Sequence, residues 1–203
     1  MSGTTRPARY LWLLLGCAVG ALLSFSSSSR VSAGGEVLAA AHRRPTVVVY
    51  KAKRQLLYFE NDILKRRFPI VLGKKPMGTK ERQGDNRTPE GEYYITNKTT
   101  QSRFLRFLGL SYPNLDDAQR GLVSRIIDRG QYERIKEAIN GGAKPPWGTG
   151  LGGYVGIHGE GEYRGFTRRH RINWTEGCIS VSDEDIRILY DFVAVGTPVL
   201  IFP

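Results

Sequence analysis

Beyond residue 45 the chain is a series of short apolar runs separated by polar turns. Thr46-Val47-Val48-Val49-Tyr50-Lys51 is β-branched through its centre and predicts a strand. Gln55 to Phe59 predicts a second strand, and Glu60-Asn61-Asp62 a turn. Ile63 to Gly73 predicts a third, in which Pro69 forces an edge position or a bulge. Three short strands joined by tight turns predict an antiparallel meander. Lys74 to Pro89 is a polar loop. Thr88-Pro89-Glu90-Gly91 places Pro and Gly for a β-turn, and Glu92 to Thr96 follows as a strand. Leu108 to Tyr112 is a further apolar run, turned by Pro113-Asn114.

Helical spacing then takes over. Leu122, Val123, Ile126 and Ile127 predict one apolar face of a helix over Asp116 to Arg129. Gly130 is the expected stop. Tyr132 to Ile139 predicts a second short helix, closed by Asn140-Gly141-Gly142. Lys144-Pro145-Pro146-Trp147-Gly148 is a rigid loop. The last third returns to strands. Tyr154 to His158 ends in a histidine, and Cys178 to Val181 begins with a cysteine. Ser182-Asp183-Glu184-Asp185 predicts a capping box, with Ser182 as cap and Asp185 reaching back. The helix it opens turns Ile186, Leu189, Tyr190 and Val193 inward. Gly196 stops it, and Pro198 to Phe202 is a final strand.

Composition adds limits. The chain has 203 residues, 40% hydrophobic and 24% charged, which suits one globular domain plus a short N-terminal extra. Its 24 glycines suit many tight turns. The formal net charge is +11; residues 1–41 hold three Arg and one Glu, so about +9 lies beyond them. Such a surplus serves solubility or an anionic partner: a cell-wall polymer, a membrane surface or nucleic acid. The basic residues are scattered, without a recognition-helix, zinc-finger or RNA-binding signature, so no nucleic-acid partner is expected. No GxxxxGK[ST] pattern is present, which rejects a phosphate loop.

The N-terminus predicts export. Arg6 and Arg9 precede an apolar run from Tyr10 to Leu23, and Ser24 to Ser29 follows, the layout of a secretory signal. Val31-Ser32-Ala33 and Ala39-Ala40-Ala41 offer small-residue cleavage sites. The expected organisation is a signal peptide or anchor over residues 1–33, a linker over 34–45 and one domain over 46–203. The run is short against the roughly 20 residues a spanning helix needs, so membrane contact is expected only through this segment if it stays uncleaved. Leu14-Leu15-Gly16-Cys17 resembles a lipoprotein box, but the apolar run continues past it.

Export leaves Cys178 as the domain's lone thiol, because Cys17 lies in the targeting segment. A buried, inert cysteine is the plain alternative. The preceding Trp174-Thr175-Glu176-Gly177 instead suggests a turn. A thiol nucleophile needs a base and donors for the developing oxyanion. His158 ends the preceding strand, and Gly159 frees the chain to turn there. The peptide N–H groups of Gly177 and Cys178 are candidate oxyanion donors. His42 falls in the linker and His170 in an Arg-rich loop. Three His and one exported Cys form no zinc spacing, so neither metal nor cofactor is expected.

His158 followed by Thr175-Glu176-Gly177-Cys178-Ile179-Ser180 resembles the L,D-transpeptidase catalytic domain of bacterial cell-wall enzymes. The family pattern is a His, a gap, then Ser/Thr-His-Gly-Cys, an apolar residue, and Asn or Arg. The resemblance extends over most of Thr46 to Phe202. It includes Leu72-Gly73, Arg87-Thr88-Pro89-Glu90-Gly91, Leu110-Ser111-Tyr112-Pro113-Asn114 and Gly196-Thr197-Pro198-Val199. It looks most like the murein transpeptidase branch with a bare catalytic domain. Glu176 stands where the family usually has His, and Ser180 where it has Asn or Arg. A carboxylate beside the thiol opposes thiolate formation unless a cation neutralises it, and the loop arginines are the expected source.

The resemblance implies a mostly β, mixed-sheet, β-sandwich-like domain with packed helices (α+β). It implies that Cys178 attacks a carbonyl in a peptidoglycan stem peptide and expels the terminal D-residue. The acyl group then passes to an amine, on another stem or on a lipoprotein. His158 would act as base and then acid, its other ring nitrogen oriented by a backbone carbonyl such as that of Gly159. Arg164, Arg168, Arg169 or Arg171 would clamp substrate carboxylates. Thr175 and Ser180 would touch substrate, and Tyr112 and Trp174 would line the groove. The expected place of work is the periplasm or cell envelope. Two alternatives remain open: hydrolysis of the same bonds, or of a lipoprotein–peptidoglycan link, by the same Cys and His, and a non-catalytic basic module that binds the wall.

Overall fold

Thr46 to Val49 are buried on both faces, as a strand in the middle of a sheet requires. They belong to β1 (Thr46–Tyr50), which pairs antiparallel with β2 (Gln55–Glu60) and parallel with β8 (Pro198–Phe202). The computed structural model of the chain describes residues 45–163 and 171–203. The expected 1–33 and 34–45 segments therefore lie outside the described residues, Pro45 excepted. The remaining strands are β3 (Ile63–Pro69), β4 (Gly91–Thr99), β5 (Phe107–Leu110), β6 (Gly156–His158) and β7 (Ile179–Ser180). All eight form one mixed sheet in the order β3-β2-β1-β8-β4-β5-β6-β7.

The predicted meander is present as β1-β2-β3. The third strand stops at Pro69, not Gly73, and lies at the sheet edge with Lys65, Arg66 and Arg67 exposed, a charged edge that discourages further pairing. The chain after Pro69 does something else. Val71 exchanges two 2.9 Å backbone bonds with Ser180, and Lys74 N–H donates to the Thr175 carbonyl at 2.9 Å. This joins the extension of one edge strand to β7 at the other edge, so the sheet curls until its ends meet. Leu56, Ile70, Leu72, Ile95, Leu110, Ile157 and Ile179 fill the interior. Helix α3 (Asp183–Phe192) adds Ile186 and Leu189 to that core.

Helices α1 (Leu115–Val123) and α2 (Arg129–Asn140) carry a second, smaller core of Ala118, Ile127, Ile135 and Leu151. Their boundary corrects the predicted one. The first helix ends at Val123, and Arg125 at φ 56° breaks the chain within the spacing that Ile126 and Ile127 continue in sequence. Val123 is 74% exposed instead of inward. Gly130 stops nothing: it sits in the first turn of α2, which Asp128 caps, with Gln131 reaching back. Ser182 caps α3 as expected, but Asp185 accepts from the Ser182 hydroxyl at 2.7 Å instead of reaching the cap's backbone. Tyr154, predicted to open the strand that ends at His158, lies outside it at φ 55°, and β6 starts at Gly156. Among the described residues no helix is long and apolar enough to cross a membrane.

A buried lysine fastens the polar 74–90 loop. Lys51 Nζ donates to the carbonyls of Gly78 at 2.7 Å and Thr88 at 2.9 Å and to Glu90 Oε1 at 2.6 Å. Burial lowers its pKa, against the raising effect of Glu90. The loop so held forms one wall of the cleft described next.

Candidate active site

β6 and β7 run parallel, with Ile157 beside Ile179 and His158 beside Ser180. Ile157 and Ile179 point into the core. Alternation therefore turns His158 to the other face, and Cys178, one residue before β7, turns the same way. Cys178 and His158 line one cleft of about 770 Å³.

The thiol is placed by main chain. Gly177 has φ 140°, and a Cβ there would meet the Arg87 carbonyl oxygen at 2.8 Å, so only glycine lets the chain pass. Thr175 braces the same turn: its hydroxyl donates to the Cys178 carbonyl at 2.7 Å and accepts from the Gly177 N–H at 3.3 Å. In this resting geometry the Gly177 N–H, an expected oxyanion donor, faces the Thr175 hydroxyl. Cys178 is half-buried, and its Sγ donates to the Tyr154 carbonyl at 3.4 Å. Crowding by protein pushes the thiol up to about 11, with the Gly156 N–H and Lys80 pulling down and Glu176 pushing up. Lys80, not a loop arginine, is thus the cation acting on the thiol among the described residues. It is buried and held by Asp85 Oδ1 at 2.8 Å.

The imidazole is placed by side chains. Phe104 stacks on it at 4.2 Å, Phe107 lies 6.3 Å away, and Trp174 meets it edge-on at 5.5 Å. His158 Nδ1 lies 2.6 Å from the Gly159 carbonyl oxygen. A carbonyl only accepts, so Nδ1 carries the proton and Nε2 is left as the base. A Cβ on Gly159 would meet Asp183 Oδ1, Ile186 Cγ2 and the Phe104 carbonyl oxygen, each at 2.8 Å, so the carbonyl's position depends on glycine. Asp183 holds the next turn by accepting from the Glu160 and Gly161 N–H groups at 2.8 and 2.9 Å. Burial pulls the imidazole down to about 4; the Gly159 bond opposes this and Arg103 adds to it. At neutral pH both partners are uncharged, so the resting thiol is not a preformed thiolate.

The other predicted site residues divide. Thr175 and Trp174 line the cleft, and Trp174 stacks on Tyr163 at 4.4 Å. Ser180 is fully buried, its hydroxyl 3.5 Å from the Gly159 carbonyl oxygen, so it backs the histidine instead of touching substrate. Tyr112 is also fully buried, its hydroxyl donating to the Leu151 carbonyl at 3.2 Å, so it packs in the core and does not line the groove. Arg171 is exposed at φ 50°, outside the described cleft-lining set. Arg164, Arg168, Arg169 and His170 lie outside the described residues. Phe104, Arg103, Lys80, Tyr154 and Trp147 line the cleft without having been predicted. Pairing of Phe107 with His158 brings residues 103–107 there. That register has no local sequence signal. Among the described residues no group of three or more His, Cys, Asp or Glu is placed to hold a metal ion.

Comparison with known proteins bears on this geometry. The family model for the L,D-transpeptidase catalytic domain matches residues 44–201. The Bd1075 structure from Bdellovibrio bacteriovorus is similar at 25% identity and a TM-score of 0.51, over 80% of this chain and 49% of that one. The helical cell shape determining protein Pgp2 from Campylobacter jejuni is similar at 20% identity and a TM-score of 0.52, over 78% of this chain and 47% of that one. The chain spans about half the length of these two structures. No curated protein sequence matches it.

Proposed function

The chain belongs to the L,D-transpeptidase catalytic-domain family, and on that premise we propose that it is an exported cysteine acyltransferase acting on peptidoglycan stem peptides. The supporting observation is that Cys178 lines the same cleft as His158, whose Nδ1 is tied to Gly159 so that Nε2 is left as the base. Substrate binding brings the scissile carbonyl to the sulfur. The thiol proton passes to Nε2 as sulfur bonds to the carbonyl carbon and the carbonyl electrons move onto oxygen. Lys80 offsets the charge on the thiolate side. Collapse of the intermediate breaks the C–N bond, and the imidazolium gives its proton to the departing amine of the terminal D-residue. An acceptor amine then attacks the thioester, His158 takes its proton, and the thiol is restored. Export rests on the N-terminal segment, and the expected setting is the periplasm or cell envelope.

Incubation with a disaccharide tetrapeptide tests this. Mass spectrometry should show release of the terminal D-residue, a protein adduct of the acyl mass, and cross-linked dimers. Cys178→Ala should lose all three, with turnover down by at least about 10³. Equal release by Cys178→Ala sinks the proposal. Free acids without dimers would make water the acceptor.

A further inference from the structure

Among the described residues, one cation on the cleft rim has no counter-charge. Arg103 is exposed and lines the cleft beside Phe104 and His158. Its guanidinium lies 4.7 Å from the centre of the Phe104 ring, and that ring stacks on the imidazole at 4.2 Å. Two neighbouring cations are engaged: Lys80 with Asp85, and Arg106 with Asp191 at 3.0 Å. Among the described residues Arg103 forms no ion pair. It is fixed by an aromatic face and open to an anion, a placement that spares much of the ordering cost of a long side chain.

We propose that Arg103 binds the free α-carboxylate of the departing residue, and so restricts the enzyme to the carboxyl ends of stem peptides. This rests on the acyl-transfer reading above. In that reaction His158 protonates the departing amine, so the amine lies at the imidazole. The α-carboxylate of the same residue is one carbon away. It must fall on the imidazole side of the sulfur, where Arg103 stands, and not on the Tyr154 side. A guanidinium edge and a carboxylate form a paired, charge-assisted contact. An internal peptide bond offers only an uncharged amide at that position and leaves the guanidinium without a partner. The same contact has an electrostatic consequence. Arg103 disfavours protonation of His158 in the empty cleft. A bound carboxylate cancels that field and makes the imidazole a better base once substrate is seated.

The test compares a tetrapeptide stem with its C-terminal carboxamide, by equilibrium binding to the full chain carrying Cys178→Ala. The free acid should bind roughly tenfold or more tightly than the amide, as charged hydrogen bonds do. Adding Arg103→Gln should bring the two within about twofold while leaving the amide's affinity unchanged; Arg103→Lys should keep part of the preference. Lys74→Gln, which removes a rim charge at the Thr175 end, should weaken both peptides alike. Equal binding of acid and amide before Arg103 is changed overturns the proposal. So does a preference that survives Arg103→Gln or vanishes with Lys74→Gln. Terminal-residue release by the unsubstituted chain is scored separately. Its absence beside an intact, Arg103-dependent preference would sink the acyl-transfer reading and leave the carboxylate site standing.

Discussion

His158 and Cys178 share one cleft but are held by opposite means. The imidazole is packed: Phe104, Phe107 and Trp174 surround it, and a single main-chain carbonyl sets its tautomer. The thiol is aimed: Gly177 gives the turn, Thr175 braces it, and the pairing of residues 71–74 with the 175–180 segment anchors it. Packing governs how readily a group takes a proton, because burial disfavours charge. Main-chain geometry governs where an atom sits. Changes on the histidine side should therefore move the pH profile, and changes on the cysteine side should move the rate without moving it.

The largest effect tests whether the packed side does proton work at all. His158→Gln should lower kcat/KM by roughly 10²–10⁴, the usual share of a positioned base. The acid limb of the profile, expected near the imidazole's value of about 4, should vanish with it. A variant within tenfold of the parent enzyme would break the comparison, since the thiol side alone would then suffice. Gly177→Ala tests the aimed side. A side chain at φ 140° with its Cβ 2.8 Å from the Arg87 carbonyl oxygen must shift the turn. Strain on the order of 1–3 kcal/mol should lower stability by that amount, and displacement of the sulfur should cut the rate roughly tenfold to a hundredfold. The acid limb should stay where it was. Its displacement would show that position and basicity are not separable here.

The same division explains what could be read in the sequence. Cys178, Gly177, His158 and Gly159 were legible because a Gly-Cys turn and a His-Gly strand end are local patterns. The β1-β2-β3 meander was legible because its β-branched runs and turns are contiguous. The side-chain packing was not. Phe104 and Arg103 reach the imidazole only through the β5–β6 register, and Lys80 reaches the thiol only because Lys51 pins the loop that carries it. Sheet closure by Val71 and Ser180 joins residues over a hundred positions apart and has no local signal. Tyr112 lies in the Leu110-to-Asn114 run that suggests a groove position, yet its hydroxyl serves Leu151 in the core. The end of α1 has no sequence signal, because Ile126 and Ile127 keep helical spacing across a residue at φ 56°.

The smallest effect at neutral pH is the most direct measure of the packed side. Phe104→Leu thins the ring that stacks on His158 but leaves Nδ1 on the Gly159 carbonyl. Water then reaches the imidazole more easily, and its pKa should rise from about 4 toward the ordinary 6.5. At pH 7.5 the base is neutral in both proteins, so kcat/KM should differ by less than about threefold. At pH 5 the variant's imidazole is largely protonated and activity should fall with it, so the acid limb moves up. Stability gives an independent reading. A base whose folded pKa is depressed stays neutral while the unfolded chain takes up its proton, so stability is lost as pH falls from 6.5 through about 4. A depression of this size is worth on the order of 3 kcal/mol, and the variant should lose less of it. The difference in Tm between the two proteins should therefore narrow from pH 7 to pH 4. A difference that widens, with an unmoved acid limb, would mean that burial by Phe104 does not set the basicity of His158.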